Sequence, residues 1–254
     1  MTTMMKCLVL LFALVACAVA KTEPQISKDV EQDDALRYEP LQTSNDDVPI
    51  IPPGTLDING NEVDSTRFFK MLSVNNGGPW GSWGPASFCP KGSFAAGYGM
   101  KIEPKQNGGD DTSLNGIKII CKNKHSNFMG EVDSKVGPWG SWGASVFCRE
   151  KSDSGSSDYL TTFSLQVEGK QGTWKDDTAA NFVKFKCRGL YTSNHDDYVL
   201  IAQPKRGFWG DWGAWSQSCP RGTAICGIQT KVEGKQSLGD DTALNDARFF
   251  CCKP

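Results

Sequence analysis

Three blocks in this chain carry residue types that could do chemistry. Each is an Asp-Asp-Thr-x-x-Asn run with a glutamate ahead of it: Glu103 before Asp110, Asp111, Thr112 and Asn115; Glu168 before Asp176, Asp177, Thr178 and Asn181; Glu233 before Asp240, Asp241, Thr242 and Asn245. Paired carboxylates serve as general acid and nucleophile, or acid and base, at a glycosidic bond, and their separation decides which. Carboxylate oxygens also suit calcium. The nine candidate catalytic groups are therefore Asp110, Asp111, Asp176, Asp177, Asp240, Asp241, Glu103, Glu168 and Glu233. The competing reading is structural. Asp, Thr and Asn cap turns by bonding to nearby backbone, and one block repeated in every copy is what a fold-maintaining turn looks like. Repetition also weighs against a single catalytic centre, although it suits three equivalent sugar sites or one site near an axis. No C-x-x-C spacing, P-loop or G-x-S-x-G occurs, so no metal and no cofactor are expected. The two histidines, His125 and His195, sit among polar linker residues.

Tryptophan is the other recurring type. Trp80 and Trp83, Trp139 and Trp142, and Trp209 and Trp212 stand three apart within W-G-x-W-G. Two rings at that spacing cannot share one face of a regular strand, but a bend at the intervening glycine would turn both inward. These six are read as core aromatics filling a shared interior. Trp174 and Trp215 each occur in one copy only and are the candidates for stacking on sugar rings.

The elements that must position these residues come as a threefold internal repeat. The copies run over about residues 78–122, 137–188 and 207–253. They open at Gly78-Pro79-Trp80-Gly81, Gly137-Pro138-Trp139-Gly140 and Gly207-Phe208-Trp209-Gly210. A cysteine follows the second Trp by six or seven residues (Cys89, Cys148, Cys219), and another follows the second Asp by ten (Cys121, Cys187, Cys251). Equivalence within copies selects Cys89–Cys121, Cys148–Cys187 and Cys219–Cys251, leaving Cys226 for Cys252. Adjacent Cys251 and Cys252 point to opposite faces if extended, so a swapped pairing in that copy stays open. Runs such as Tyr159–Val167 and Cys226–Val232 alternate with period two, and Gly- and Asp-rich turn signals separate them. The segment Ser65–Leu72 reads as a short helix or a first strand. Each unit is too small to bury its own core, so three β units should share one.

The chain of 254 residues begins with a secretory signal pattern. Lys6 precedes fourteen apolar or small residues, Cys7 to Ala20, ending Ala18-Val19-Ala20. Such a run spans about 21 Å as a helix, short of the roughly 30 Å membrane core. Residues 1–20 are thus assigned to a signal peptide, 21–65 to an acidic flexible leader or propeptide, and 66–254 to the folded domain. The eight cysteines left after cleavage suit an oxidising compartment. Charge is balanced, 27 basic against 29 acidic residues, so no basic stripe argues for nucleic acid. A secreted, extracellular protein with no membrane span is expected.

These motifs resemble the vitelline membrane outer layer protein I family over roughly residues 70–254. The resemblance rests on the threefold W-G-x-W-G, the threefold D-D-T-x-x-N and the cysteine register. It implies an all-β fold, a disulfide-stapled β-prism of three antiparallel Greek-key-like sheets with pseudo-threefold symmetry. It further implies an egg-coat or secretion-type structural protein whose partners are extracellular glycans or coat glycoproteins. The family's type member is also linked to a transferase-like activity on N-acetyl-chito-oligosaccharides, so glycosyl transfer or hydrolysis is one alternative function. A lectin-like defence or toxin role is another. The acidic leader, the longer SDSGSSDYL segment of the second copy and the extra Trp215 depart from the family pattern.

Overall fold

A computed structural model describes residues 51, 53–105, 112–151, 156–169, 180–192, 196–205, 207–234 and 242–254. The chain divides into two units, 1–42 and 43–254. The first unit lies outside the described residues, as does the assigned signal peptide.

Every copy contributes one long hairpin, and the alternating runs form its strands. The described elements are β1 (Phe68–Leu72), β2 (Ser82–Trp83), β3 (Ser87–Phe88), β4 (Ser93–Ile102), β5 (Leu114–Asn123), β6 (Phe128–Asp133), β7 (Ser141–Trp142), β8 (Val146–Phe147), β9 (Glu150–Lys151), β10 (Ser156–Ser157), β11 (Tyr159–Val167), β12 (Ala180–Arg188), β13 (Tyr198–Leu200), β14 (Asp211–Trp212), β15 (Ala224–Val232) and β16 (Leu244–Cys252). A 3-10 turn, Ser65–Arg67, capped by the Asp64 carboxylate, leads into β1. The stretch 65–72 is thus a single turn followed by a strand.

Three antiparallel sheets result, and none is built from one copy alone. Sheet I runs β6-β5-β4-β7, with β8 also on β4. Sheet II runs β13-β12-β11-β14. Sheet III runs β1-β16-β15-β2, with β3 also on β15. The short W-G-x-W-G strand of each copy therefore pairs with the hairpin of the copy before it. Trp142 stands opposite Lys101, Trp212 opposite Gln166, and Trp83 of the first copy opposite Lys231 of the last, which closes the circle. The short β9–β10 pair stands apart from the three sheets.

The shared interior is filled by the inward residues of the long strands. Tyr98, Phe163, Phe185 and Phe249, from all three sheets, interlock with ring centroids 4.6–6.4 Å apart. Leu, Ile and Val residues surround them, all nearly inaccessible. The Tyr98 hydroxyl is satisfied there, donating to Val183 O (3.1 Å) and accepting from Ala202 N (2.9 Å).

This core corrects the reading of the six tryptophans. None of Trp80, Trp83, Trp139, Trp142, Trp209 and Trp212 is buried; Trp80 and Trp142 are 41% and 38% exposed. The glycine between each pair does bend the chain, with φ of +79°, +73° and +74° at Gly81, Gly140 and Gly210. A two-residue edge strand, however, carries its ring on the solvent side of the sheet, while the ten- and nine-residue strands behind it fill the interior with Phe, Leu and Ile. Among the six, only Trp212 packs partly against the central cluster.

The disulfides are Cys89–Cys121, Cys148–Cys187, Cys219–Cys251 and Cys226–Cys252. Cys251 faces the central core and Cys252 a second apolar cluster around Phe68, Phe88 and Phe250, which settles the pairing left open by the sequence. The first three bridges join neighbouring sheets. Cys89 N–H bonds Cys226 O on sheet III, Cys148 N–H bonds Ala96 O on sheet I, and Cys219 N–H bonds Thr161 O on sheet II, while their partners lie in β5, β12 and β16.

The folded part begins earlier than residue 66. Residues 56–62 form a tight turn with Leu56 bridged to Glu62, and Asp57 accepts from the amides of Asn59 and Asn61. Ile51 and Val63 pack on the second apolar cluster. The last fifteen residues assigned to the leader are thus largely part of the fold, because two apolar side chains in that acidic stretch find a partner.

Candidate functional site

The described parts of the threefold blocks stand at the start of β5, β12 and β16. Asp110, Asp111, Asp176, Asp177, Asp240 and Asp241 lie outside the described residues, as does Trp174. Thr178 lies outside them too, whereas Thr112, Asn115, Asn181, Thr242 and Asn245 are described. Thr112 Oγ1 donates to Glu103 Oε2 at 2.5 Å and accepts from Asn115 Nδ2 at 2.7 Å. Thr242 does the same between Glu233 Oε2 (2.5 Å) and Asn245 Nδ2 (2.7 Å). The hairpin closes beside this relay, with Glu103 N–H on Ser113 O and Glu233 N–H on Ala243 O, both 2.8 Å. Ser113 and Ala243 hold positive φ there, 51° and 49°. Glu103 and Glu233 therefore act as turn acceptors. Glu168 stands at the corresponding place after β11.

The asparagine at the end of each block reaches across to the next copy. Asn115 Oδ1 accepts from Trp139 N (3.2 Å), and Asn181 Oδ1 from Trp209 N (3.1 Å). Asn245 uses its backbone, accepting from Gly78 N at 2.7 Å. A second clamp stands on the adjacent strand. Lys101 Nζ donates to Gly137 O, Lys231 Nζ to Pro79 O, and Gln166 Nε2 to Trp209 O and Gly210 O. The blocks thus hold the W-G-x-W-G loops in place, and Ser113 Oγ on Asn181 O ties two hairpin ends together.

On the solvent side each second tryptophan lies beside a cation. Arg248 is 4.0 Å from the Trp83 ring centre, Lys118 5.2 Å from Trp142 and Lys184 4.0 Å from Trp212. Such pairs add about 0.5–1 kcal/mol at exposed sites. Trp215 extends this on sheet II, with Lys184 and Lys186 each 5.0 Å from its ring. It is half-buried and stands against lysines. Burial pushes the Lys184 ammonium below its usual range. These cations are not among the residues singled out by type, yet the repeat marks them: each stands three residues after its block's asparagine, at Lys118, Lys184 and Arg248. Sheet II also shows what the extra residue in its loop does. Ser216 bonds Phe163 through both its amide and its hydroxyl, in place of the two-residue strands β3 and β8 of the other sheets.

Three carboxylates are held above their ordinary range, each chiefly by burial: Asp133, Asp197 and Asp246. They belong to β6, to the approach to β13 and to β16, hence to three different sheets. Asp197 is 3.3 Å from the buried Arg188 guanidinium. Among the described residues no group of three His, Cys, Asp or Glu is placed to hold a metal ion. No helix among them is long and apolar enough to cross a membrane.

Clefts among the described residues include the following two. One, of 290 Å³, lies among Asp57, Glu62, Asp64, Arg67 and Lys91 near the start of the fold. The other, of 210 Å³, lies at a seam between copies, lined by Met100, Ile102, Ser141, Gly143, Ala144, Ala202, Gln203 and Pro204.

The family described as vitelline membrane outer layer protein I matches residues 70–254. The vitelline membrane outer layer protein 1 homolog of Homo sapiens is 44% identical over 190 residues, covering 73% of this chain and 84% of that protein. The Mus musculus homolog is 42% identical over 188 residues, 73% of this chain and 85% of that protein. Among solved structures, artocarpin in complex with mannopentose aligns at a TM-score of 0.44 and 10% identity, over 73% of this chain and 97% of its own. A mannose-specific jacalin-related lectin from Morus nigra aligns at 0.42 and 10%, over 76% and 99%.

Proposed function

We propose, for a chain that belongs to the vitelline membrane outer layer protein I family, that it is a secreted structural protein of an egg coat or comparable secretion that binds carbohydrate or glycoprotein. The observation that carries this reading is the extent of the family match. It runs from residue 70 to 254 and so takes in nearly the whole three-sheet body, with its four disulfides and its aromatic–cation faces. Four disulfides suit an oxidising, extracellular setting, and the first twenty residues suit export to it. Rings beside cations on all three sheets, exposed at Trp142 and half-buried at Trp83 and Trp212, offer apolar surface to sugars and hydrogen-bond donors to their hydroxyls.

The described residues favour binding over turnover. Two of the three repeated glutamates are engaged by threonine hydroxyls within their own turns. The three carboxylates raised by burial stand on separate sheets, whereas a glycosidase pair needs two carboxyl groups within about 5–10 Å. The test is incubation of the mature, disulfide-intact protein with N-acetyl-chito-oligosaccharides and with coat glycoproteins, following binding and product length together by mass spectrometry. Binding with unchanged chain lengths is expected. Longer or shorter oligomers that persist through purification would replace this reading with the transferase or hydrolase one.

A further inference from the structure

Among the described residues one of the three seams between copies departs from the other two in how it is filled. Each seam uses all three copies: the linker before one copy, the W-G-x-W-G loop of the previous copy and the hairpin strand of the remaining one. At the seam on sheet II, Asn76 of the first linker lies against Gly213. A Cβ added at Gly213 would fall 2.3 Å from the Asn76 carboxamide. Asn76 Nδ2 donates to Leu165 O at 3.2 Å, and that carbonyl also accepts from Gly213 N at 2.9 Å. At the seam on sheet III, Ser134 and Lys135 occupy the same place. A Cβ at Gly84 would fall 2.4 Å from Lys135 Cβ and 2.9 Å from Ser134 Oγ. Ser134 Oγ accepts from Thr230 N (3.2 Å), and Gly84 N donates to Thr230 O (2.8 Å).

The third seam has the same walls and, among the described residues, no such filler. Gly143 N donates to Met100 O at 2.8 Å, as its counterparts do to Leu165 O and Thr230 O. Among the described residues a Cβ at Gly143 would meet only Met100 O, at 3.7 Å. The reason lies in the linker. Lys205, the counterpart of Asn76 and Lys135, sits in a tight turn with its amide on Ala202 O (2.8 Å) and φ of +76°, and it is exposed. The turn carries that side chain away and leaves the 210 Å³ cleft open to solvent.

We propose that this third seam is a binding site for the acetamido group of an N-acetylated sugar. The filled seams define the chemistry. On sheet II the niche holds a carboxamide whose N–H bonds the strand carbonyl. A carbonyl oxygen takes two donors, and Met100 O receives one from Gly143. An acetamido N–H supplies the second as Asn76 does at Leu165. The acetyl methyl then meets Met100, Ile102, Ala144, Ala202 and Pro204, with Ser141 and the Gln203 carboxamide left for ring hydroxyls. The volume is below the ~300–1000 Å³ of drug-sized sites and suits a single sugar residue. This inference rests on the carbohydrate-binding reading and adds the site and the group recognised.

The test is an amide-resolved NMR titration of the mature, disulfide-intact protein. The probes are the methyl glycoside of N-acetylglucosamine and methyl glucoside, which lacks the acetamido group. The expected result is a shift of the Gly143, Ala144, Ala202 and Gln203 amides with the acetylated sugar only. Gly143→Leu and, separately, Ala144→Leu project side chains from exposed positions into the cleft, and each should weaken that response at least tenfold while the remaining spectrum stays that of the folded protein. Equal response to both sugars at the seam, or response to the acetylated sugar confined to other residues, overturns the proposal and leaves carbohydrate binding standing. Binding of longer glycans that survives Gly143→Leu unchanged does the same. Absence of binding to any glycan, monomeric or polymeric, overturns both readings.

Discussion

Two glycines of one loop, three residues apart, should respond in opposite ways to a single methyl group. Gly140 has φ of +73°, and an added Cβ would stand 2.4 Å from Ile102 C and O and 2.5 Å from Glu103 N. Those are backbone atoms at the end of β4 and cannot rotate aside. The left-handed conformation costs an alanine about 1–2 kcal/mol, and forcing a methyl into filled space adds roughly 1–3 kcal/mol. The alanine also restricts the unfolded chain, which returns about 0.4–1 kcal/mol. Gly140→Ala should therefore lose about 2–4 kcal/mol. Gly143 has no positive φ, and its added Cβ would have one neighbour at 3.7 Å. Only the unfolded-state effect remains, so Gly143→Ala should be neutral or gain up to about 1 kcal/mol. For a domain of this size 1 kcal/mol moves Tm by about 2–4 °C, so the two variants should melt roughly 5–20 °C apart. Urea and thermal unfolding under non-reducing conditions, followed by tryptophan fluorescence, measures the difference. If Gly140→Ala lies within about 1 kcal/mol of Gly143→Ala, the clash with Ile102 and Glu103 is not what requires glycine there.

Thr242→Val removes the hydroxyl shared by Glu233 and Asn245 and leaves both facing a methyl, so it should cost about 1–3 kcal/mol in urea unfolding. Burial raises the Asp246 carboxyl, so the folded state binds its proton more tightly than the unfolded chain; stability from this group is greatest at low pH and falls as pH rises through the folded pKa. Asp246→Asn, which keeps the acceptor for Ala247 N, should accordingly raise Tm by a few degrees at pH 7 and lose that advantage below about pH 3.8 in a pH series of melting curves. Tyr159 and Tyr198 are pushed up to about 12 by burial, and Tyr98 is raised further, so these three phenols stay neutral where an unfolded chain would ionise. Stability should fall as pH rises above about 10, and their ultraviolet ionisation signal should appear together with unfolding; gradual titration of all three in the folded protein would refute that. Removing Cys219–Cys251 or Cys226–Cys252 by paired alanines should cost a similar ~3.5 kcal/mol of chain entropy, because the sequence separations are 32 and 26. Only the first should speed hydrogen exchange at the Ser216 and Cys219 amides, which join sheets II and III.

The repeat made much of this molecule legible. Three blocks in one register named the hairpins, the number of sheets and the partners of Cys89 and Cys148, because matching positions in each copy leave few consistent pairings; for the third copy, with its two extra cysteines, they left two arrangements. Tyr159–Val167 alternates over nine residues, long enough for period two to be read, and it is a strand. The W-G-x-W-G strands have two residues each, and two residues carry no period. Their pairing with the preceding copy is a long-range fact, as between Trp83 and Lys231, that local pattern does not contain. The misplacement of the tryptophans follows. A large aromatic is assigned to the interior by default, and without a strand to fix its face the exposed alternative carried too little weight. The open seam was illegible for a different reason: Lys205 stands in the repeat where Asn76 and Lys135 stand, and only the turn at Ala202–Lys205 shows that it points elsewhere.

The exchange of short strands explains why bonds local to each copy hold the whole prism together. Had each loop folded back on its own hairpin, Cys89–Cys121, Cys148–Cys187 and Cys219–Cys251 would be staples within single sheets. Because each loop lies on the preceding sheet, the same three bridges run from sheet III to I, I to II and II to III. A copy that loses its loop thus weakens its neighbour's sheet as well as its own attachment. Asparagine and lysine or glutamine clamps recur at all three joints, as such mutual dependence requires. The linker side chains are under a weaker demand. Once strand pairing, disulfide and clamps have closed a joint, the niche beside the loop's last glycine adds local packing only, and leaving it empty does not open the ring. Among the described residues two linkers place a side chain there and the third does not, so the cleft beside Gly143 stands at a joint that is already closed without it.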